Sequence, residues 1–84
     1  MARLVIRDQG KERVYRIEEN IVSIGRVQDN HIVIKDPRSS RKHCQLVKTE
    51  KGYKIVDLKS RNGILVNGKP VKEALLRDGD KISI

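Results

Sequence analysis

The chain has 84 residues, no Phe or Trp and only two Tyr, so a single modest core must be built from Ile, Val and Leu, most of which are β-branched. The formal charge of +8 admits three classes of partner: nucleic acid, an anionic membrane surface, and a phosphorylated or acidic protein. One cysteine excludes an internal disulfide, and no apolar run approaches the roughly 20 residues that a membrane-spanning helix needs.

Short apolar or alternating segments separated by turn residues run through the whole chain. They predict strands over residues 3–7, 12–18, 21–24, 32–34, 44–48, 53–57, 64–66, 69–71 and 81–84. Asn67-Gly68 predicts a hairpin with a type I′ turn, because both central residues of that turn need a positive φ. Residues 73–77 are predicted to be irregular. Nine or ten short strands at even spacing indicate an all-β fold, an antiparallel β-sandwich of two twisted sheets.

The loop over residues 36–43 concentrates more chemistry than any other segment. It begins with the turn signal Asp36-Pro37 and ends with Ser39-Ser40-Arg41-Lys42-His43, which holds two hydroxyls, two cations and an imidazole. Donors held between two strands in this way can bind an anion. Gly25-Arg26 before this loop and Ser60-Arg61-Asn62-Gly63 after it are predicted to be its companions.

Taken together, these loops resemble the forkhead-associated (FHA) domain. The matching segments are Ile24-Gly25-Arg26, Asn30-His31-Ile32-Val33-Ile34, Ser40-Arg41-Lys42-His43, Asp57-Leu58-Lys59-Ser60-Arg61-Asn62-Gly63, Val66-Asn67-Gly68 and Asp78-Gly79-Asp80-Lys81-Ile82. Each segment alone is a weak signal, but all six occur in the family's order and spacing. The resemblance implies a β-sandwich whose loops, at one end, bind phosphothreonine in an extended peptide.

The resemblance also implies a role for each loop residue. It assigns phosphopeptide binding to Arg26, Ser40, Arg41, Arg61 and Asn62, with the first two holding the phosphate and the last holding the peptide main chain. It assigns structural support to Gly25, His43, Gly63, Asn67 and Gly68. The γ-methyl of the threonine is expected between the loop of Ser40 and the loop of Arg61 and Asn62. The chemistry agrees, because a phosphate needs a guanidinium fork, hydroxyls and N–H donors.

Two features depart from the family pattern. Arg61 stands where the family often has Thr, Ser or another basic residue, and Ile64 stands where it often has Thr. The family also carries one further strand after residues 82–84, so the sandwich is expected to lack its last strand and to leave a sheet edge unpaired there.

The sequence admits four other interpretations. Ser40 and His43 could form a hydrolytic pair, but no third member and no Gly-x-Ser-x-Gly elbow accompanies them. His31, His43 and Cys44 could bind a metal, but they lack the paired spacing of zinc sites. A basic β-sandwich could bind nucleic acid, although the cations are dispersed and stacking aromatics are nearly absent. A structural sandwich with a degenerate phosphate site is the fourth.

We therefore expect residues 1–84 to form a single FHA-like phosphopeptide-binding domain, cut from a longer protein with other domains. Its partner is a Thr-phosphorylated protein or peptide. We expect no enzymatic activity, no cofactor, no metal, no small-molecule substrate and no membrane span. We expect no signal peptide, because the first residues lead directly into a strand pattern, and we expect a cytoplasmic location. Binding of nucleic acid remains the alternative function.

Overall fold

A computed structural model describes residues 2–84, and Met1, included in the expected domain, lies outside the described residues. Ten strands and no helix make up the regular structure of the described chain. The strands are β1 (Ala2–Asp8), β2 (Lys11–Ile17), β3 (Ile21–Gly25), β4 (Ile32–Val33), β5 (Cys44–Thr49), β6 (Gly52–Asp57), β7 (Ile64–Val66), β8 (Lys69–Val71), β9 (Glu73–Leu75) and β10 (Lys81–Ser83). The predicted all-β fold is confirmed. Within residues 2–84 there is accordingly no helix that could cross a bilayer.

The strands form two five-stranded sheets. The first sheet has the order β2-β1-β10-β7-β8, and the second has the order β4-β3-β5-β6-β9. Most neighbours are antiparallel, but β1 and β10 are parallel, as are β3 and β4. The predicted sandwich is therefore confirmed with one refinement, namely that both sheets are mixed.

The core lies between the two sheets and follows the two-residue period of the strands. Four strands each bury two alternating side chains almost completely: Leu4 and Ile6, Val22 and Ile24, Cys44 and Leu46, Tyr53 and Ile55. Burying one such aliphatic side chain contributes about 1.5–3 kcal/mol. The aliphatic core that the composition demanded is what holds the sheets together.

The hairpin turns match the predicted backbone chemistry. Asn67 and Gly68 both have positive φ, at 52° and 84°. Gln9 and Gly10, between β1 and β2, have the same signature at 54° and 78°. These values are the type I′ pattern, whose twist matches that of the flanking strands.

Two expectations about the C-terminal quarter are wrong. Residues 73–77 were predicted to be irregular, but Glu73–Leu75 forms β9, which pairs antiparallel with β6. The side chains of these residues favour a helix and so do not indicate a strand, but the open edge of β6 supplies backbone hydrogen-bond partners for them. The C-terminal segment leaves no unpaired edge either, because β10 lies between β1 and β7 and is hydrogen-bonded on both sides.

Candidate functional site

Strand register brings the three candidate loops to one end of the second sheet. Ile24 is opposite Cys44, and Cys44 is opposite Asp57. The end of β3, the start of β5 and the end of β6 are therefore side by side. We call the segments that leave this end loop A (residues 26–31), loop B (34–43) and loop C (58–63).

Backbone hydrogen bonds join loop A directly to loop B. The Arg26 amide donates to the Ser40 carbonyl at 3.1 Å, and the Val27 amide donates to the Arg41 carbonyl at 3.4 Å. The Ile34 amide donates to the Gly25 carbonyl at 2.8 Å. Arg26 and Ser40, the two residues predicted to hold phosphate, are thus fixed next to each other by the main chain.

Gly25 is required by the closeness of this junction. A Cβ at position 25 would lie 2.1 Å from the Arg41 carbonyl oxygen, far inside van der Waals contact. Asn30 fastens the same point, because its Nδ2 donates to the carbonyls of Val27 at 2.7 Å and Arg41 at 2.9 Å. No local pattern in the sequence predicts this role for Asn30, and its burial is visible only in the structure.

His43 ties loop B to loop C from inside the protein. Its side chain is fully buried. The Ser40 amide donates to His43 Nδ1 at 3.0 Å, so Nε2 carries the proton and donates to the Gly63 carbonyl at 2.7 Å. The imidazole therefore bridges the backbones of the two loops and has no ring nitrogen left for a ligand.

The Ser40 hydroxyl lies where loops B and C meet. Its oxygen accepts a hydrogen bond from the Arg61 amide at 2.9 Å. Because this bond uses a lone pair, the hydroxyl proton remains available for an incoming acceptor. His43 contacts the amide of Ser40 and not its hydroxyl, so His43 is not positioned to activate Ser40 as a nucleophile.

Three guanidinium groups belong to the same group of loops. Arg26 is oriented through its Nε, which donates to the Ser39 carbonyl at 3.2 Å and leaves the four N–H groups of Nη1 and Nη2 for a ligand. Neither Arg41 nor Arg61 forms an ion pair with another described residue, and both are exposed. The site therefore holds positive charge that no ion pair among residues 2–84 neutralises.

Asn62 links loop C to loop B instead of standing free. Its Nδ2 donates to the Arg38 carbonyl at 2.7 Å. The second N–H of the amide and its oxygen remain, so one donor and one acceptor can still engage a peptide backbone. A hollow of ≈ 270 Å³ lies between the two loops and is lined by Asp36, Arg38, Ser39, His43, Asn62 and Ile84.

Loop C is also braced from within. The Ser60 hydroxyl donates to Asp57 Oδ1, the Ser60 amide donates to Asp57 Oδ2 at 3.2 Å, and the Gly63 amide donates to the Ser60 hydroxyl at 3.0 Å. Gly63 has a φ of 77°, a conformation that glycine adopts without steric cost. Loop C therefore presents Arg61 and Asn62 from a closed turn.

The entrance of loop B depends on two carboxylates. Asp36 accepts hydrogen bonds from the amide, Nε and Nη2 of Arg38, and these bonds hold the pKa of the Asp36 carboxyl below its ordinary value. Asp8, in the first sheet, accepts from the amides of Lys35 at 2.8 Å and Asp36 at 3.2 Å. Sequence reasoning missed Asp8, because a carboxylate 27 residues before its partner gives no local signal.

Asn67 and Gly68 lie apart from these loops, at the turn between β7 and β8. The Asn67 side chain donates to Asp80 at 3.0 Å and accepts from the Lys81 amide at 3.0 Å. These bonds fasten the hairpin to the start of β10. The structure thus groups eight of the ten residues singled out from the sequence and places these two elsewhere.

The residues considered as metal ligands do not form a site. His31 Nδ1 accepts from the Ser23 amide at 3.0 Å, whereas the two ring nitrogens of His43 are bonded to the Ser40 amide and the Gly63 carbonyl. Cys44 is fully buried, and burial, aided by the nearby Asp57 carboxylate, raises the pKa of its thiol to about 12. A thiol with that pKa stays protonated at neutral pH and is a poor ligand.

Comparison with known proteins decides the family. The model of the FHA domain matches residues 22–84. This chain belongs to the FHA-domain family. It is 51% identical to the ABC transporter ATP-binding/permease protein Rv1747 of Mycobacterium tuberculosis over 63 residues. This aligned region covers 75% of this chain and 7% of that protein. It is 38% identical to the transcriptional regulatory protein EmbR of the same species over 80 residues. This aligned region covers 94% of this chain and 21% of that protein.

Solved structures of FHA domains superpose closely on this one. Mycobacterium tuberculosis EmbR in complex with a low-affinity phosphopeptide has a TM-score of 0.83 at 36% identity, covering 99% of this chain and 22% of that one. The FHA domain of FhaA, complexed with the intracellular domain of Rv3910, has a TM-score of 0.76 at 39% identity, covering 89% of this chain and 82% of that one. This chain therefore spans under a quarter of Rv1747 and EmbR but most of the isolated FhaA domain.

Proposed function

We propose that this FHA domain captures proteins phosphorylated on threonine and performs no chemistry on them. The observation that carries the proposal is the convergence of three loops on Ser40. Its carbonyl accepts from the Arg26 amide, its amide donates to His43, and its hydroxyl accepts from the Arg61 amide. A phosphate placed at this junction would meet the Ser40 hydroxyl and the guanidinium fork of Arg26 together.

The charges suit a phosphate better than a simple carboxylate. A phosphothreonine carries about −1.5 to −2 charges at neutral pH and three acceptor oxygens. Arg26 offers its Nη groups as a fork, and Arg41 and Arg61 add charge that no described acid neutralises. Asn62 keeps one donor and one acceptor for the peptide main chain. We therefore propose as binding residues the same five that the sequence predicts, Arg26, Ser40, Arg41, Arg61 and Asn62, with the same roles.

The relatives support the choice of ligand. EmbR has been solved with a phosphopeptide, and another similar structure, 37% identical with a TM-score of 0.78, belongs to an analysis of phosphothreonine-dependent FHA domain interactions. We extend that recognition to this chain. We further propose that it acts in the cytoplasm as one module of a longer protein, whose other domains provide the output after a kinase has marked the partner.

The proposal is tested by titrating the protein with a degenerate phosphothreonine peptide library and with the same library lacking phosphate. We expect binding only to the phosphorylated library. A duplex DNA titration at physiological salt runs beside it, because the charge of +8 predicts weak salt-sensitive attraction to any polyanion. DNA binding as tight as phosphopeptide binding would contradict the proposal and favour the nucleic-acid alternative.

A further inference from the structure

A hollow of ≈ 400 Å³ lies beside loop C, where that loop meets the hairpin of β7 and β8. We call it the hairpin hollow. Its described lining comes from the end of β6, loop C, the hairpin and the link to β9, with none from loop A or loop B, and includes Asn62, Gly63, Leu65, Pro70, Val71 and Lys72. It is larger than the hollow of ≈ 270 Å³ between loops B and C. It can therefore receive a side chain that the junction at Ser40 does not contact.

Asn62 connects the hairpin hollow with the proposed phosphopeptide site, because it lines both hollows. The preceding residue, Arg61, is bonded through its amide to the Ser40 hydroxyl at 2.9 Å. An extended peptide advances about 3.3 Å per residue, so four residues span about 13 Å. A peptide that holds its phosphothreonine at Ser40 and its main chain at Asn62 thus brings a residue within four positions of the phosphothreonine to this hollow.

The wall that the hairpin gives to the hollow is apolar and open to solvent. Leu65 lies directly opposite Pro70 across the two strands, and both residues are exposed, Leu65 to 38%. Val71, next in the chain and half-buried, extends this wall toward the core. Apolar surface at a concave site is released from water when an apolar side chain covers it. The wall therefore favours an aliphatic or aromatic side chain.

Lys72 gives the hairpin hollow a positive charge. It is exposed and forms no ion pair with any residue of the described chain. Asp57 is the one acid in the described lining, and both of its carboxylate oxygens already accept hydrogen bonds from Ser60. A carboxylate supplied by a ligand would therefore meet a lysine for which no ion pair within residues 2–84 competes.

Backbone pairing forms the hollow in advance. The Asp57 amide donates to the Lys72 carbonyl at 2.8 Å, and Ile64 is paired with Val71 in the hairpin. The end of β6, the hairpin and the link to β9 are thus held in place before a ligand arrives. Binding in a preformed hollow avoids the entropic cost of ordering its walls, so more of the gain from burial appears as affinity.

We propose that the hairpin hollow is a second contact for the phosphorylated partner. It takes one apolar side chain within four residues of the phosphothreonine and places an acidic neighbour of that residue against Lys72. This inference rests on the proposed function, because one peptide occupies both places. The three loops contact the phosphothreonine and the peptide main chain, which all phosphothreonine partners share, so the hairpin hollow selects among those partners.

The first experiment titrates wild type with peptides in which a phosphothreonine is flanked only by alanine and serine. Leucine is then placed, one position at a time, at each of the four positions on either side. We expect one position at which leucine tightens binding about tenfold relative to alanine. With that leucine in place, an aspartate beside it should tighten binding about threefold further, and a lysine there should not.

Two variants then locate the contact. Leu65→Gln should remove the gain from leucine, and Lys72→Glu should reverse the charge preference, so that the peptide with lysine beside the leucine binds more tightly than the one with aspartate. Leu75→Gln is the matched control for the first, because Leu75 is an exposed leucine on β9. Lys48→Glu is the control for the second, because it makes the same change in net charge on β5. Both controls should keep the wild-type preferences.

The peptide flanked only by alanine and serine separates the two proposals. It should bind wild type, Leu65→Gln and Leu75→Gln alike, because it reaches only the three loops. If it binds but leucine has no effect at any position, or if the gain from leucine survives Leu65→Gln, the hairpin hollow is not a contact and phosphothreonine recognition stands. If no phosphorylated peptide binds, the proposed function fails and this inference fails with it.

Discussion

Replacing His43 with leucine tests how the binding loops are held. Leucine fills a similar volume in the buried site but cannot accept from the Ser40 amide or donate to the Gly63 carbonyl. Both backbone groups would lose their partners while remaining partly buried. The change therefore removes the link between loops B and C without removing any group proposed to touch the phosphate.

The structure sets the size of the effect. Leaving one buried donor or acceptor unsatisfied costs about 1–3 kcal/mol. Two such groups are left here, and their partial burial favours the lower half of the range, so we expect the free energy of unfolding to fall by about 2–4 kcal/mol. Because Ser40 and Gly63 then move independently, phosphopeptide affinity should also fall, by about tenfold or more.

Urea denaturation and peptide titration measure the two effects separately. His31→Leu is the matched control, because His31 is the only other histidine and its imidazole, at the end of loop A, hydrogen-bonds to Ser23 on β3. We expect the control to change unfolding by less than about 1 kcal/mol and to leave affinity intact. If His43→Leu unfolds and binds like wild type, the imidazole is not the link between the loops.

Three further perturbations address separate parts of the site. Arg26→Ala should weaken phosphopeptide binding by about 2–5 kcal/mol with an unchanged unfolding midpoint, whereas Arg77→Ala, a control outside the three loops, should bind normally; affinity of Arg26→Ala within about threefold of wild type would exclude Arg26 from the site. Asp8→Ala should weaken binding and speed amide exchange at Lys35 and Asp36, and unchanged exchange there would show that Asp8 does not fasten loop B. Cys44 should be alkylated at pH 8 roughly 10³-fold more slowly in the folded than in the unfolded protein, given a thiol pKa of about 12 against an ordinary value near 8.5, and comparable rates would contradict its burial.

Much of the fold was predictable because its signals are local. Two-residue alternation identified the strands that bury Leu4, Ile24 and Leu46, and Asn67-Gly68 identified a turn from the φ values it requires. β9 was missed because its pairing depends on the open edge of β6, which lies about 20 residues earlier and leaves no mark on residues 73–75.

In the candidate site, too, the features with local sequence signals were predictable and those that depend on long-range contacts were not. The order of the three loops was readable in the sequence, and the structure places the five proposed binding residues in those loops. The carboxylate of Asp8 and the amide of Asn30 act on loop B from distant positions in the chain, and no local pattern connects them with it. Long-range hydrogen bonds of this kind become visible only when the chain is folded.

Selectivity between phosphothreonine and phosphoserine tests the methyl contact that the family resemblance implies. Burying the extra methyl contributes about 0.8 kcal/mol, or about fourfold in affinity. A β-branched side chain is also stiff at χ1, so phosphoserine must lose more rotamer freedom to reach the same pose. We expect the two effects together to exceed about 1.4 kcal/mol, which is more than about tenfold.

The most direct measurement uses one peptide synthesised in three forms, with phosphothreonine, phosphoserine and unmodified threonine, titrated at one salt concentration. The account predicts the tightest binding for phosphothreonine, binding more than about tenfold weaker for phosphoserine, and no saturable binding for the unmodified form. Equal affinity for the two phosphorylated peptides would mean that Arg26, Arg41 and Arg61 merely attract phosphate. Equal binding of the unmodified peptide would contradict phosphothreonine recognition itself.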